Sequence, residues 1–192
     1  MEPVSENGKY QLDKGASSAG GEELYGVSIT KFLLLYVMTL GGYMMYWSYR
    51  NWKFYSCMSQ TGIMPVMRGI FWPFFIFSLL ARIKAASRVK GDQCHWSSEI
   101  RGLLIFSLVL VSWALGFILN EPADSMVALV AGVIVIAVGA YLFVDVQRVV
   151  NQLTNDPQGR GNSEMTAANM IWVILGGLYW VFVTLGTFAV QV

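Results

Sequence analysis

Two stretches of the chain carry no charged residue over nearly the length needed to cross a bilayer: Leu103 to Leu119 (LLIFSLVLVSWALGFIL) and Met126 to Val144 (MVALVAGVIVIAVGAYLFV). A helix needs about 20 apolar residues to traverse roughly 30 Å of hydrocarbon, so both read as transmembrane spans. Met170 to Val192 reads as a third, following Asn162, Ser163 and Glu164, residue types that suit a helix N-terminus. Composition agrees: of 192 residues, 55% are apolar and only 13% charged, far from the balance of a soluble domain. The net charge of +1 leaves no electrostatic footprint for nucleic acid.

Charge orients these spans. The turn from Asn120 to Ser125 holds Glu121, Asp124 and Pro122 but no Lys or Arg, so the positive-inside rule turns it away from the cytoplasm. The connection with Arg82, Lys84, Arg88, Lys90 and Arg101 is then cytoplasmic, as is the one with Arg148 and Arg160. Residues 1–28 are polar, mixed in charge and unlike a signal peptide, and are expected to form a disordered tail. A single multi-pass membrane domain, 29–192, follows.

Two further apolar segments are irregular. Phe32 to Trp47 (FLLLYVMTLGGYMMYW) is interrupted by Gly41-Gly42, a helix-weakening pair, and runs into Trp47, Tyr49, Arg50, Trp52 and Lys53. That ending reads as a membrane-interface belt of rings and cations. Gly69 to Ala81 (GIFWPFFIFSLLA) is short for a span, contains Pro73 and is bounded by Arg68 and Arg82. If it crossed, one basic connection would lie outside, so a segment that dips in and returns is preferred, with a five-span bundle as the rival. The fold class expected is an all-α integral membrane protein with three transmembrane helices plus two N-terminal apolar segments that are short spans or re-entrant hairpins.

The run Thr39-Leu40-Gly41-Gly42-Tyr43-Met44-Met45-Tyr46-Trp47-Ser48-Tyr49-Arg50-Asn51-Trp52 resembles the T-L-G-x-Y-x-x-Y-W-x-Y-x-N-W opening of a family of small bacterial multi-pass inner-membrane proteins of unknown function. Ile63-Met64-Pro65 with Arg68 and Phe71 is similar to the next element of that family. Gln147, Asn151, Asn155, Asn169, Gly176-Gly177 and Trp180 are similar to its C-terminal pattern. The resemblance implies a bacterial inner-membrane protein and carries over no activity or catalytic residue.

Chemistry is sparse. No G-x-S-x-G, H-E-x-x-H or phosphate-loop motif occurs. His95 stands beside Cys94 and near Asp92 without the spaced ligand pairs that zinc takes, so neither a metal nor a cofactor is expected. The strongest polar set is Asp145, Gln147, Arg148, Asn151, Gln152 and Asn155. Gln147, Asn151 and Asn155 recur every four residues, and Asp145 can pair with Arg148. Asp145, Gln147, Arg148, Asn151 and Asn155 are therefore the candidate contact for a partner or a lipid headgroup. Ala128, Gly132, Gly139 and Gly176-Gly177 provide small surfaces for close helix packing.

These features predict a non-enzymatic structural or accessory membrane protein, acting through lipid contact and assembly with its own copies or another membrane protein. A small transporter or channel is the alternative, drawing on Thr39, Ser78, Ser107, Ser112, Thr184 or Thr187. A membrane enzyme built on Asp145, Arg148 and His95 is the second.

Overall fold

The computed structural model describes residues 24–59, 62–91 and 94–190, and every regular element among them is helical. Most of the expected tail, residues 1–23, lies outside the described residues. Among the described residues three helices are long and apolar enough to cross a membrane: α5 (Ser98–Ile118), α6 (Ser125–Leu153) and α7 (Ala167–Val190). They correspond to the three expected spans. With 29 residues, α6 extends about 43 Å at 1.5 Å per residue, so it outreaches a hydrocarbon core. Its last turns project at what we call the polar end, where α5 begins and the loop 154–166 lies. The acidic turn, with its short helical turn Pro122–Asp124, closes the other end.

Before these, among the described residues, come four shorter helices: α1 (Ile29–Met38), α2 (Tyr43–Ser59), α3 (Pro65–Ile70) and α4 (Trp72–Val89). Helix α1 starts at the polar end, where Ser28 caps it by accepting the Lys31 N–H at 3.3 Å. It stops after ten residues. The Leu40 and Gly41 N–H groups turn back onto the Val37 and Tyr36 carbonyls at 3.2 and 2.8 Å, a Schellman closure. Leu40 and Gly41 take φ of 51° and 82°, the left-handed region, which reverses the chain. Thr39 Oγ1 bridges the reversal, donating to the Leu35 carbonyl at 2.7 Å and accepting the Tyr43 N–H at 2.8 Å. Helix α2 then runs back, and Asn51 reaches Tyr25, just ahead of α1.

The second pair follows the same plan. Pro65 opens α3 and Pro73, lacking an N–H, prevents α3 from continuing through Phe71 into α4. Arg68 before the break and Arg82 after it both lie over the Trp52 ring, so this chain segment also doubles back beside α2. Gly69 allows the close approach, since a Cβ there would meet the Met45 carbonyl at 2.9 Å. Along α4, Ile76, Leu79, Leu80, Ile83 and Ser87 form the helical-period stripe that is buried.

The core sits in the polar half, between α1, α2, α4 and the second half of α6. Phe143 is its centre, with Trp72, Tyr36 and Trp47 rings 5.8 to 6.0 Å away. Two α1 contacts need glycine: Gly139 faces the Tyr36 hydroxyl and Gly176 faces the Met38 carbonyl, and a Cβ at either would collide. At the end of α1 the Val37 carbonyl, which already accepts the Leu40 N–H, also accepts the indole N–H of Trp180 from α7 at 3.1 Å.

Candidate functional site

The polar stripe of α6 has two faces with different jobs. Gln147 and Asn151 are fully buried and bind the extended segment 24–28. Asn151 Oδ1 accepts the Val27 N–H at 3.1 Å, and its Nδ2 donates to the Val27 carbonyl at 2.9 Å. Gln147 Nε2 donates to the Tyr25 carbonyl at 3.2 Å, while Asn51 Oδ1 accepts the Tyr25 N–H at 3.0 Å. The side-chain amides thus substitute for a neighbouring strand, satisfying backbone groups buried among apolar residues. Gln147 and Asn151 are consequently unavailable to an external partner, which corrects that part of the sequence expectation. The same contacts correct the tail boundary, because Tyr25 and Val27 are buried.

Asp145 and Arg148 face the other way. With Arg101, Cys94, His95 and Gln152 they line a cavity of about 480 Å³ at the polar end. The two Asp145 oxygens accept separately from Arg101 at 3.3 Å and Arg148 at 3.1 Å. Each Asp145 oxygen is thus already engaged by a guanidinium group. Asp92 lies outside the described residues, and among the described residues no group of three His, Cys, Asp or Glu side chains could hold a metal. Asn155 lies beyond the end of α6 with φ 57° and accepts from Lys90 at 3.0 Å.

The belt suggested by Trp47, Tyr49, Arg50, Trp52 and Lys53 is divided by the fold. Lys53 is exposed, Tyr49 and Arg50 are half-buried, and Trp47 and Trp52 are completely buried. Both tryptophans are core residues, because α2 is sandwiched between α6 and the α3–α4 pair. Trp47 Nε1 donates to Gln147 Oε1 at 2.5 Å. Trp52 carries two cations: Arg68 Cζ is 4.1 Å and Arg82 Cζ 5.5 Å from its ring centroid.

A third polar region surrounds segment 24–26. Lys31, itself buried, donates to Asn162 Oδ1 at 2.7 Å and to the Glu164 carbonyl at 2.6 Å. Arg50 is caged by Tyr25, Tyr46 and Phe54, and shares a cavity of about 470 Å³ with Lys31 and Asp156. Burial pushes the Tyr25 phenol above its ordinary pKa, so it stays protonated. Sequence reading missed Asn51, Arg101 and the pairing of Arg68 with Arg82. Only Asn51 left a signal, a lone amide inside an aromatic run.

Between the tips of the two helix pairs and α5–α6 lies a more apolar cavity of about 530 Å³, lined by Leu40, Gly41, Phe71, Leu108 and Ser112 among others. Of the hydroxyls named for a transport path, Ser112 lines it. Thr39 is engaged at its own turn and Ser78 donates to the Phe75 carbonyl at 3.2 Å. Compared with family models, with curated proteins and with solved structures, the chain matches none, so its functional reading rests on this geometry.

Proposed function

We propose that the protein is a structural or accessory component of a bacterial inner membrane, with α1–α2 and α3–α4 as re-entrant hairpins that occupy one leaflet beside three spans. The observation that supports this reading is that the chain doubles back in each pair, with Asn51 of α2 against Tyr25 ahead of α1 and with Arg68 and Arg82 both over the Trp52 ring. The tips support it as well. In hydrocarbon a reversing backbone is tolerated only where its polar groups are satisfied, and Thr39 and Trp180 do that for the first tip. The basic connections then share one face, in agreement with the positive-inside rule, and the acidic turn faces outward.

The outer surfaces of α5, α6 and α7 are apolar, with Trp113, Phe117, Ile134, Tyr141, Phe182 and Leu185 all exposed. Lipid or another membrane protein would cover them. Gly177 opens onto empty space, offering a close-packing surface for a second copy or another helix. The reading as non-enzymatic draws support from Asp145, whose charge is held by two arginines.

Cys57 and Cys94 flank the second pair and test the topology. Labelling of intact and opened cells with a membrane-impermeant maleimide should find both on the cytoplasmic face. Reaction from opposite faces would make α4 a span and end the hairpin reading. In-cell crosslinking from Gly177→Cys should capture a partner or a second copy. A protein that crosslinks to nothing and leaves vesicle shape unchanged would have no accessory role of this kind.

A further inference from the structure

We infer that Arg68 and Arg82, stacked on Trp52, form a binding site for a phosphate-bearing anion, with an anionic phospholipid headgroup as the ligand that the site's position favours. The positively charged groups at the polar end differ in how their charge is met. Arg101 and Arg148 share Asp145. Lys31 is held by neutral acceptors with the Glu164 carboxylate close enough to interact, and Arg50 shares its cavity with Asp156. Arg68 and Arg82 have no carboxylate within 4.0 Å among the described residues.

Both are half-buried, and both are anchored by ring faces: Arg68 lies 4.1 Å from Trp52 and 5.0 Å from Phe75, and Arg82 lies 3.9 Å from Tyr55 and 5.5 Å from Trp52. A ring face attracts the cation without using up its N–H groups as a carboxylate would, and a guanidinium fork suits bidentate phosphate binding. The backbone beneath is fixed too, since Ser48 Oγ donates to the Arg68 carbonyl at 3.3 Å and Gly69 packs on Tyr49. The ring that both cations share also carries an unmet donor, since the buried Trp52 indole N–H has no acceptor among the described residues. Two like charges brought to one desolvated ring repel each other unless an anion joins them. A divalent or diester phosphate supplies that charge together with several acceptor oxygens.

The lipid assignment rests on the hairpin reading above; the anion site itself does not. Full-length protein in a neutral detergent would be titrated with short-chain phosphatidylglycerol, short-chain phosphatidylcholine, glycerol 3-phosphate and inorganic phosphate. Saturable binding of phosphatidylglycerol is expected, weakened about tenfold or more in Arg68→Gln and in Arg82→Gln and retained in Arg148→Gln. Preference for phosphatidylglycerol over glycerol 3-phosphate supports the lipid source, and equal binding of the two supports a soluble phosphate ester at the same site. If Arg68→Gln fails to fold, Arg82→Gln carries the test. The inference is overturned if no probe binds saturably, if the Arg82 variant binds like the parent, or if Arg148→Gln weakens binding as much.

Discussion

The indole N–H of Trp47 donates to Gln147 Oε1 at 2.5 Å, joining residues 100 positions apart at the point where α2 meets α6. Both side chains are fully buried, and Gln147 passes the connection on to Asn151 at 2.8 Å and to the Tyr25 carbonyl. Replacement of Gln147 by Leu strands the Trp47 donor and the Tyr25 acceptor. Each such orphan costs about 1–3 kcal/mol. Thermal unfolding in detergent should show that loss, and the Trp47→Phe, Gln147→Leu double variant should be less destabilised than the sum of the singles by about 1 kcal/mol. Strict additivity would mean that the pair makes no energetic contact.

Asn151 pairs with both backbone groups of Val27, so Asn151→Ala should free the 24–28 segment without unfolding the helices. Hydrogen exchange at the Tyr25 and Val27 amides should accelerate about tenfold or more, corresponding to loss of about 1.4 kcal/mol of local stability. Unchanged protection there would remove the clamp from the account.

Leu40 occupies the left-handed region at φ 51°, a conformation that costs a side-chain-bearing residue about 1–2 kcal/mol. Glycine there has greater unfolded-state freedom, so Leu40→Gly should stabilise by a net of about 0.5 kcal/mol, and Gly41→Ala should destabilise by about 1 kcal/mol. Opposite signs in the two melts are the signature of the turn.

Gly176 lies against the Met38 carbonyl, whereas its neighbour Gly177 faces open space. Gly176→Ala should force α1 from α7 at a cost of about 1–3 kcal/mol, while Gly177→Ala stays within about 0.5 kcal/mol of the parent. Equal melts for both would contradict the α1–α7 contact.

Asp156 Oδ2 accepts the Gly161 N–H at 2.7 Å, and that bond, aided by the Arg160 N–H, holds its carboxyl below the ordinary aspartate range. A carboxylate depressed on folding stabilises the folded form fully above its unfolded pKa and loses that contribution as pH falls through the folded pKa. Amide protection at Gly159 and Gly161, corrected for intrinsic exchange, should therefore hold from neutral pH to about 5 and decline below the ordinary value of about 3.9. Asp156→Asn should flatten that decline. An identical decline in the variant would assign it to another group.

The long uncharged runs were readable because hydrophobicity is a local property, and the helices α5, α6 and α7 lie where those runs lie. The breaks were readable for the same reason: Gly41-Gly42 and Pro73 restrict backbone conformation wherever they stand. Periodicity grouped Gln147, Asn151 and Asn155 on one face but could not say what that face meets. Asn155 lies past the helix end, and the other two are turned inward by a segment 120 or so positions earlier. The interface belt divided likewise, since a ring suited to a headgroup layer is equally suited to a core, and only the packing of α3, α4 and α6 around α2 put Trp47 and Trp52 inside.

The sequence by itself determined that the chain is helical and apolar, with three helices able to cross a membrane and two broken segments before them. Tertiary structure decided where each broken segment doubles back, which amides hold the 24–28 strap, that Asp145 takes two arginines and that Arg68 and Arg82 converge with no acid beside them among the described residues. The physical reason is range. Segment hydrophobicity and backbone restriction act within a turn or two of helix, whereas the balance of buried charges and hydrogen bonds depends on side chains brought together from opposite ends of the chain.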